Sequence, residues 1–172
     1  MPMGGGAGVA LPVGISSGGT GATTAAAARS ALGAAAQGSH TLKRSTGSGN
    51  YTINSTTFAA IDDTNLLVTV TVPTGMLALA MLMANCGQAS GSSGEIGVAI
   101  DGTVQAYTVL SGTLSATNPV SQSVMAVLTG DGSSHTFSPQ ARVQVSAASV
   151  LTILNGDAVG CPWFLVALLP AN

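Results

Sequence analysis

The 172-residue chain is long enough for one domain with a short additional segment, and 6% of it carries a formal charge against 46% that is hydrophobic. Four basic residues, a net charge of −2 and 3% aromatic residues leave neither a phosphate-tracking surface nor a base-stacking platform, which excludes nucleic acid as a partner. Soluble surfaces carry many charges and little contiguous apolar area, so a chain with a mean hydropathy of +0.50 must hide its apolar faces in a membrane or against copies of itself.

Residues 1–17 are rich in Gly and Ala, with Pro2 and Pro12, and cannot bury enough surface to fold alone. They are expected to form a docking arm that orders only against a partner. Met1-Pro2-Met3-Gly4 lacks a basic leader region and the first cation is Arg29, so no secretory leader is expected. Residues 18–50 are expected to hold one short α-helix and a linker. Thr23 or Thr24 suits the N-cap, since its hydroxyl can accept a first-turn amide proton, and Gly33 suits the left-handed stop. A helix this short does not stand alone in water. Its small face, Ala25 and Ala28 with Leu32, allows several identical helices to approach closely around a shared axis. The linker, residues 38–50, carries Lys43 and Arg44. The stretch Gly18-Gly19-Thr20-Gly21-Ala22-Thr23-Thr24-Ala25, continuing to Arg29 and Leu32-Gly33, resembles a motif that recurs in tail-fibre proteins of tailed bacteriophages.

From Tyr51 the pattern changes to period two, and residues 51–172 are expected to form the head domain. Val68, Val70 and Val72 share one face of a strand, with Thr69 and Thr71 on the other. Pro73-Thr74-Gly75 turns the chain into Met76–Ala84, which is apolar on both faces. Further strands are expected over Glu95–Ile100, Val104–Leu110, Ser123–Leu128, Ser134–Val145, Ser149–Leu154 and Cys161–Leu169. Asp101-Gly102, Gly130-Asp131-Gly132 and Asn155-Gly156 are the turn signals between them. Many short strands with such turns point to a mainly β fold, an antiparallel β-sandwich. The longest apolar stretches, Met76–Ala84 and Cys161–Leu169, are under half the length of about 20 residues that a spanning helix needs, so no membrane insertion is expected. Nineteen Ser and nineteen Thr keep the outside wet without charge. A strand apolar on both faces asks for a second covering surface, and a neighbouring subunit supplies one. Leu77, Leu79, Met81 and Met83, with Trp163 and Leu165 of the last strand, are therefore expected, like Ala25, Ala28 and Leu32, at a subunit interface.

Thr57-Phe58, Ile61-Asp62, Thr64-Asn65-Leu66, the run Gly132–Val143 and Pro162-Trp163-Phe164 resemble a C-terminal domain of phage fibres. Ala141 stands where that pattern has an aromatic residue. The resemblance implies a jelly-roll head related in shape to C1q and TNF modules and assembled as a homotrimer. It also implies a virion location, a protein made in the host cytoplasm, and other virion proteins as partners through the arm. Candidate contact loops for a host surface glycan or protein hold Ser92 and Gly94, Ser115 and Asn118, and Asp131 and Ser133.

No catalytic, metal or cofactor set is legible. The Gly-rich runs at 4–8 and 18–21 lack the Lys-Ser/Thr ending of a phosphate loop. Ser134 and His135 are adjacent on a strand and point to opposite faces, so they cannot act as nucleophile and base. Asp62-Asp63 lacks the converging oxygens a hard cation needs and reads as a turn or cap. Six acids, mostly in turns, offer no facing carboxylate pair for glycan hydrolysis. Cys86 and Cys161 read as small buried hydrophobes, with a disulfide open only if their strands are neighbours. The expected function is a non-enzymatic, short trimeric fibre or spike of a phage virion, involved in host attachment. A capsid-decorating or head-fibre protein and a C1q-like binding module are the alternatives.

Overall fold

The computed structural model describes residues 22–24, 27–28, 40–46, 49–88, 93–110, 119–144, 150–156 and 160–171. The chain divides into two units, residues 1–39 and residues 40–172. In the first, the Thr24 hydroxyl accepts the Ala27 N–H at 3.1 Å and the Thr24 carbonyl accepts the Ala28 N–H at 2.9 Å. This is the capping contact expected of a helix start. Ala27 and Ala28 are helical, and the remainder of the expected helix and the arm lie outside the described residues.

The second unit is built of antiparallel strands: β1 (His40–Arg44), β2 (Tyr51–Ile53), β3 (Ala59–Ala60), β4 (Val68–Thr71), β5 (Met76–Gln88), β6 (Gly94–Ile100), β7 (Thr103–Leu110), β8 (Val120–Thr129), β9 (Ser134–Val143), β10 (Leu151–Ile153) and β11 (Trp163–Pro170). The first sheet runs β1-β11-β5-β8, and the short β10 and β2 continue beyond β11 on the same edge of β5. The second runs β4-β9-β6-β7, with β3 beside β4 on β9. Every pairing is antiparallel, and the two sheets share one hydrophobic core. This is the expected β-sandwich.

The pleat explains which residues fill the core. On β5 the even positions Ala78, Ala80, Leu82, Ala84 and Cys86 are buried, while Leu77, Leu79, Met81 and Met83 point the other way. Phe164 and Val166 of β11 and Val124 and Ala126 of β8 join them. From the second sheet come Ile96, Val98 and Ile100, with Phe137, Ala141 and Val143. The core face of β5 is mainly alanine, and the bulk comes from Phe164 and Phe137, one from each sheet, both fully buried.

One expectation changes. Residues 40–44, read as linker, form β1 and pair with β11 from His40↔Ala167 to Arg44↔Trp163. Cys86 and Cys161 are free thiols. Cys86 lies in the core, where burial pushes its thiol up to about 12. The Cys161 sulfur accepts the Arg44 Nε–H at 2.8 Å.

The turns follow their residues. Asp101 and Gly102 both have positive φ, 51° and 79°, and link Ile100 to Thr103 in a two-residue hairpin. Gly130, after β8, is a different case. A Cβ there would lie 2.0 Å from the Pro73 carbonyl oxygen, so only glycine lets the two turns touch. Gly130→Ala should therefore cost about 3 kcal/mol or more in urea unfolding, whereas Gly156→Ala, with open space around it, should stay within about 0.5 kcal/mol.

Candidate functional site

The outward face of the first sheet gathers the residues that the doubly apolar strands single out. Cross-strand register sets them in rows. One row is Leu42, Leu165, Met81 and Met125; the next is Ala167, Leu79 and Val127; Leu169 and Leu77 follow, and Trp163 stands beside Met83. Leu77, Leu79, Met81 and Leu165 are half-buried, whereas Met83, Trp163, Val127 and Met125 are exposed, the last by 60%. Cross-strand pairs on one face lie close enough to form one surface. Arg44 and His40, at the β1 edge, are the only basic side chains on these rows among the described residues, and none of the rows holds an acid. Met83, Asn85, Ser121, Gln122, Cys161 and Trp163 line a cavity of about 360 Å³ at one end. The Ser121 hydroxyl donates to Asn85 Oδ1 there at 2.5 Å.

All six expected interface residues of the head domain thus lie on one face. Met125 and Val127 extend it. The sequence carried their signal, because Val124–Leu128 is apolar on both faces just as β5 is. Leu42 extends it too, but a lone leucine between polar neighbours gives no such signal. Of the arm-side residues, Ala25 and Leu32 lie outside the described residues, and Ala28 is seen only in its bond to Thr24.

The contact-loop residues separate. Ser92, Ser115 and Asn118 lie outside the described residues. Gly94 is the first residue of β6 and is buried, with Leu151 carbons 3.1 Å from where its Cβ would be, so it is no loop tip. Asp131 and Ser133 are exposed in the β8–β9 turn.

That turn is held by a histidine clamp. His135 Nδ1 lies 2.7 Å from Asp101 Oδ2 and its Nε2 3.1 Å from Asp131 Oδ1, which ties the β6–β7 turn to the β8–β9 turn. Asp101 Oδ1 also accepts the Thr136 N–H at 2.8 Å, and Asp131 Oδ1 the Ser133 N–H at 2.7 Å. The hydrogen bond to Asp101, then that to Asp131, raises the His135 pKa above its usual 6.5. The Thr136 amide and then His135 lower Asp101; the Ser133 amide and then His135 lower Asp131. His135 therefore braces two carboxylates across the two turns.

A second polar cluster fixes the loop before β4. Tyr51 Oη donates to Asp62 Oδ2 at 2.5 Å, Ser45 Oγ donates to the same oxygen at 3.1 Å, and Asp62 Oδ1 accepts the Asn65 N–H at 3.0 Å. Burial works to raise the Asp62 pKa, but the hydrogen bonds from Tyr51 and Asn65 outweigh it and hold the carboxyl below its usual range. Asp62 thus caps a turn. Among the described residues no three His, Cys, Asp or Glu side chains are grouped to hold a metal, and no helix is long and apolar enough to cross a membrane.

The sequence matches no protein-family profile and is similar to no curated protein. Solved structures resemble it at low identity. An insecticidal delta-endotoxin of Bacillus thuringiensis matches 70% of this chain with a TM-score of 0.39 and 17% identity. The baseplate tripod of bacteriophage Tuc2009 matches 70% with a TM-score of 0.36 and 21% identity. A dimeric latent PorU from Porphyromonas gingivalis matches 77% with a TM-score of 0.36 and 8% identity. The chain spans 19%, 64% and 13% of those three chains respectively, and none of the scores reaches the level at which two chains share a fold.

The brace has a defined pH window. The folded pKa of His135 exceeds its unfolded value, so its contribution is complete below 6.5 and is lost as pH rises through the raised value. The two carboxylates are depressed, so theirs is complete above 3.8 and is lost as pH falls through the lowered values. An NMR titration of the His135 ring should give a midpoint above 6.5, and amide exchange at Ser133 and Thr136 should quicken above that midpoint. A midpoint at or below 6.5 would refute the brace.

Proposed function

We propose that this chain is a structural protein of a tailed-phage virion, a short, non-enzymatic trimeric fibre or spike that takes part in attachment to the host surface. The observation that carries the reading is the row-ordered apolar face of the first sheet, on a chain with so few charges. An exposed surface of this kind is a contact surface, because covering its apolar area contributes about 25 cal/mol per Å² removed from water. A second copy is the partner of matching chemistry.

Two further features support the reading. With β2, β3 and β10 set aside, the strands taken in chain order alternate as first-eighth-third-sixth in one sheet and second-seventh-fourth-fifth in the other. That is the order of a jelly roll, the head expected from the phage-fibre resemblance. The Thr24 cap lies within the fibre-type motif. The arm would dock to other virion proteins, and a trimer would present each weak contact three times, so that avidity replaces single-site affinity.

Sedimentation and light scattering test the reading. The full chain should run as a trimer at micromolar concentration. Leu79→Asp with Met125→Asp should give a folded monomer, since both side chains point outward and neither belongs to the core. A wild-type chain that sediments as a single protomer would overturn the proposal.

A further inference from the structure

We propose that the outward face of the second sheet binds an acidic saccharide, with Tyr107 as the stacking ring and the Arg142 guanidinium, seated over Phe58, as the group that reads the carboxylate. The chain has six aromatic residues. Phe137 and Phe164 are in the core, Tyr51 is hydrogen-bonded to Asp62, and Trp163 is on the face of the first sheet. Phe58 and Tyr107 meet on the opposite side of the sandwich, with ring centroids 6.0 Å apart and planes tilted by 54°. The Arg142 guanidinium carbon lies 4.6 Å from the Phe58 centroid. The cation is therefore seated over the Phe58 ring, with the exposed Tyr107 ring beside it.

Their polar groups are only partly used. Tyr107 is 56% exposed, and its hydroxyl makes no hydrogen bond among the described residues. Arg142 donates from Nε to Glu95 Oε2 at 2.6 Å, and its two Nη groups make no hydrogen bond among the described residues. Glu95 is 2% exposed and spends its other oxygen on the Gln144 amide, whereas the Arg142 side chain is 34% exposed. Glu95 and Arg142 are cross-strand partners on this same face, the carboxylate covered and the cation partly open to solvent. Arg142 is also the one Lys or Arg of this sheet among the described residues. A guanidinium offers parallel N–H donors that match a carboxylate, and the C–H face of a pyranose packs on aromatic rings. A carboxylate-bearing sugar satisfies both features together. The Gln140 amide, in register with Gly97 and hence with Tyr107, is within the same face.

The inference deepens the attachment reading and rests on it only for avidity, because the site lies within one protomer. Calorimetry and saturation-transfer NMR on the full chain, with trigalacturonate and sialyllactose as probes, test it. At least one probe should bind, and its carboxyl-reduced form should bind about tenfold more weakly. Tyr107→Ala should weaken the acidic probe about tenfold with little change in melting temperature, the side chain being exposed. Arg142→Lys keeps a cation on Glu95 and should abolish the preference for the acid over its reduced form. No binding of either probe, equal binding of the reduced forms, or a Tyr107→Ala chain that binds as the wild type does would each overturn the site. The mass of the same samples separates the two proposals. A trimer that binds neither probe sinks the site alone, and a monomer that binds sinks the fibre reading alone.

Discussion

The two-residue period of the pleat, imposed on strand segments that are apolar on both faces, governs this molecule. In β5 it sends Ala78, Ala80 and Leu82 into the core and, by the same geometry, Leu77, Leu79 and Met81 to the opposite face. An ordinary half-buried strand would place threonine or lysine at those outward positions, as β4 does with Thr69 and Thr71. Here Leu77 to Met83 of β5, Met125 and Val127 of β8 and the outward residues of β11 from Trp163 to Leu169 are apolar instead, and register aligns them across the sheet. A one-residue slip would exchange the two faces almost without changing their hydrophobicity. Alternation alone therefore does not fix the register of β5. Size does. The inward set is mostly alanine and the outward set is leucine and methionine, and only the small set leaves room for Phe137 and Phe164.

The ends of the sandwich then carry the polar specificity that the sheets lack. The His135 brace ties the β6–β7 turn to the β8–β9 turn through side chains and two backbone amides. Gly130 lets the β8–β9 turn touch the β4–β5 turn, where Gly132 N–H also bonds Val72 O at 2.9 Å. Three turns are thus fixed to one another by directional contacts that a slipped register could not make. With so few charges in the chain, this concentration of carboxylates at turns is where electrostatics can specify the fold.

How far the sequence is legible depends on the range of the signal. Alternation in Val68–Val72, the doubly apolar runs and the Asp101-Gly102 turn are all local, and each corresponds to an observed element. β1 was not legible, because His40-Thr41-Leu42-Lys43-Arg44 has one apolar residue and becomes a strand only by pairing with β11 at the far end of the chain. The pair Ala59-Ala60 is likewise a strand only because β9 lies beside it. On the functional side, the common outward face of Leu77, Leu79, Met81, Met83, Trp163 and Leu165 was legible from the doubly apolar runs. The Phe58–Tyr107–Arg142 group was not, since three residues from separate strands and loops meet only through the order β3-β9-β6-β7. Glu95 offered no clue, being one of six acids, until its burial against Arg142 showed why a charge is tolerated inside β6.

The distribution of charge also bears on what the apolar face can meet. When identical chains assemble around an axis, side chains near that axis face their own copies, so a charge there is placed against like charge. Such a contact is tolerable only if the shared surface is neutral. The rows of the first sheet satisfy this condition: their interior is leucine, methionine, valine and alanine, and Arg44 stands at the β1 edge beside Cys161. Glu95, Asp101, Asp131 and Arg142 all lie on the second sheet or its turns. A partner of different sequence could have answered a charge on the first sheet with an opposite one. A copy of the same chain could do so only away from the axis, where one residue meets a different residue of the next copy.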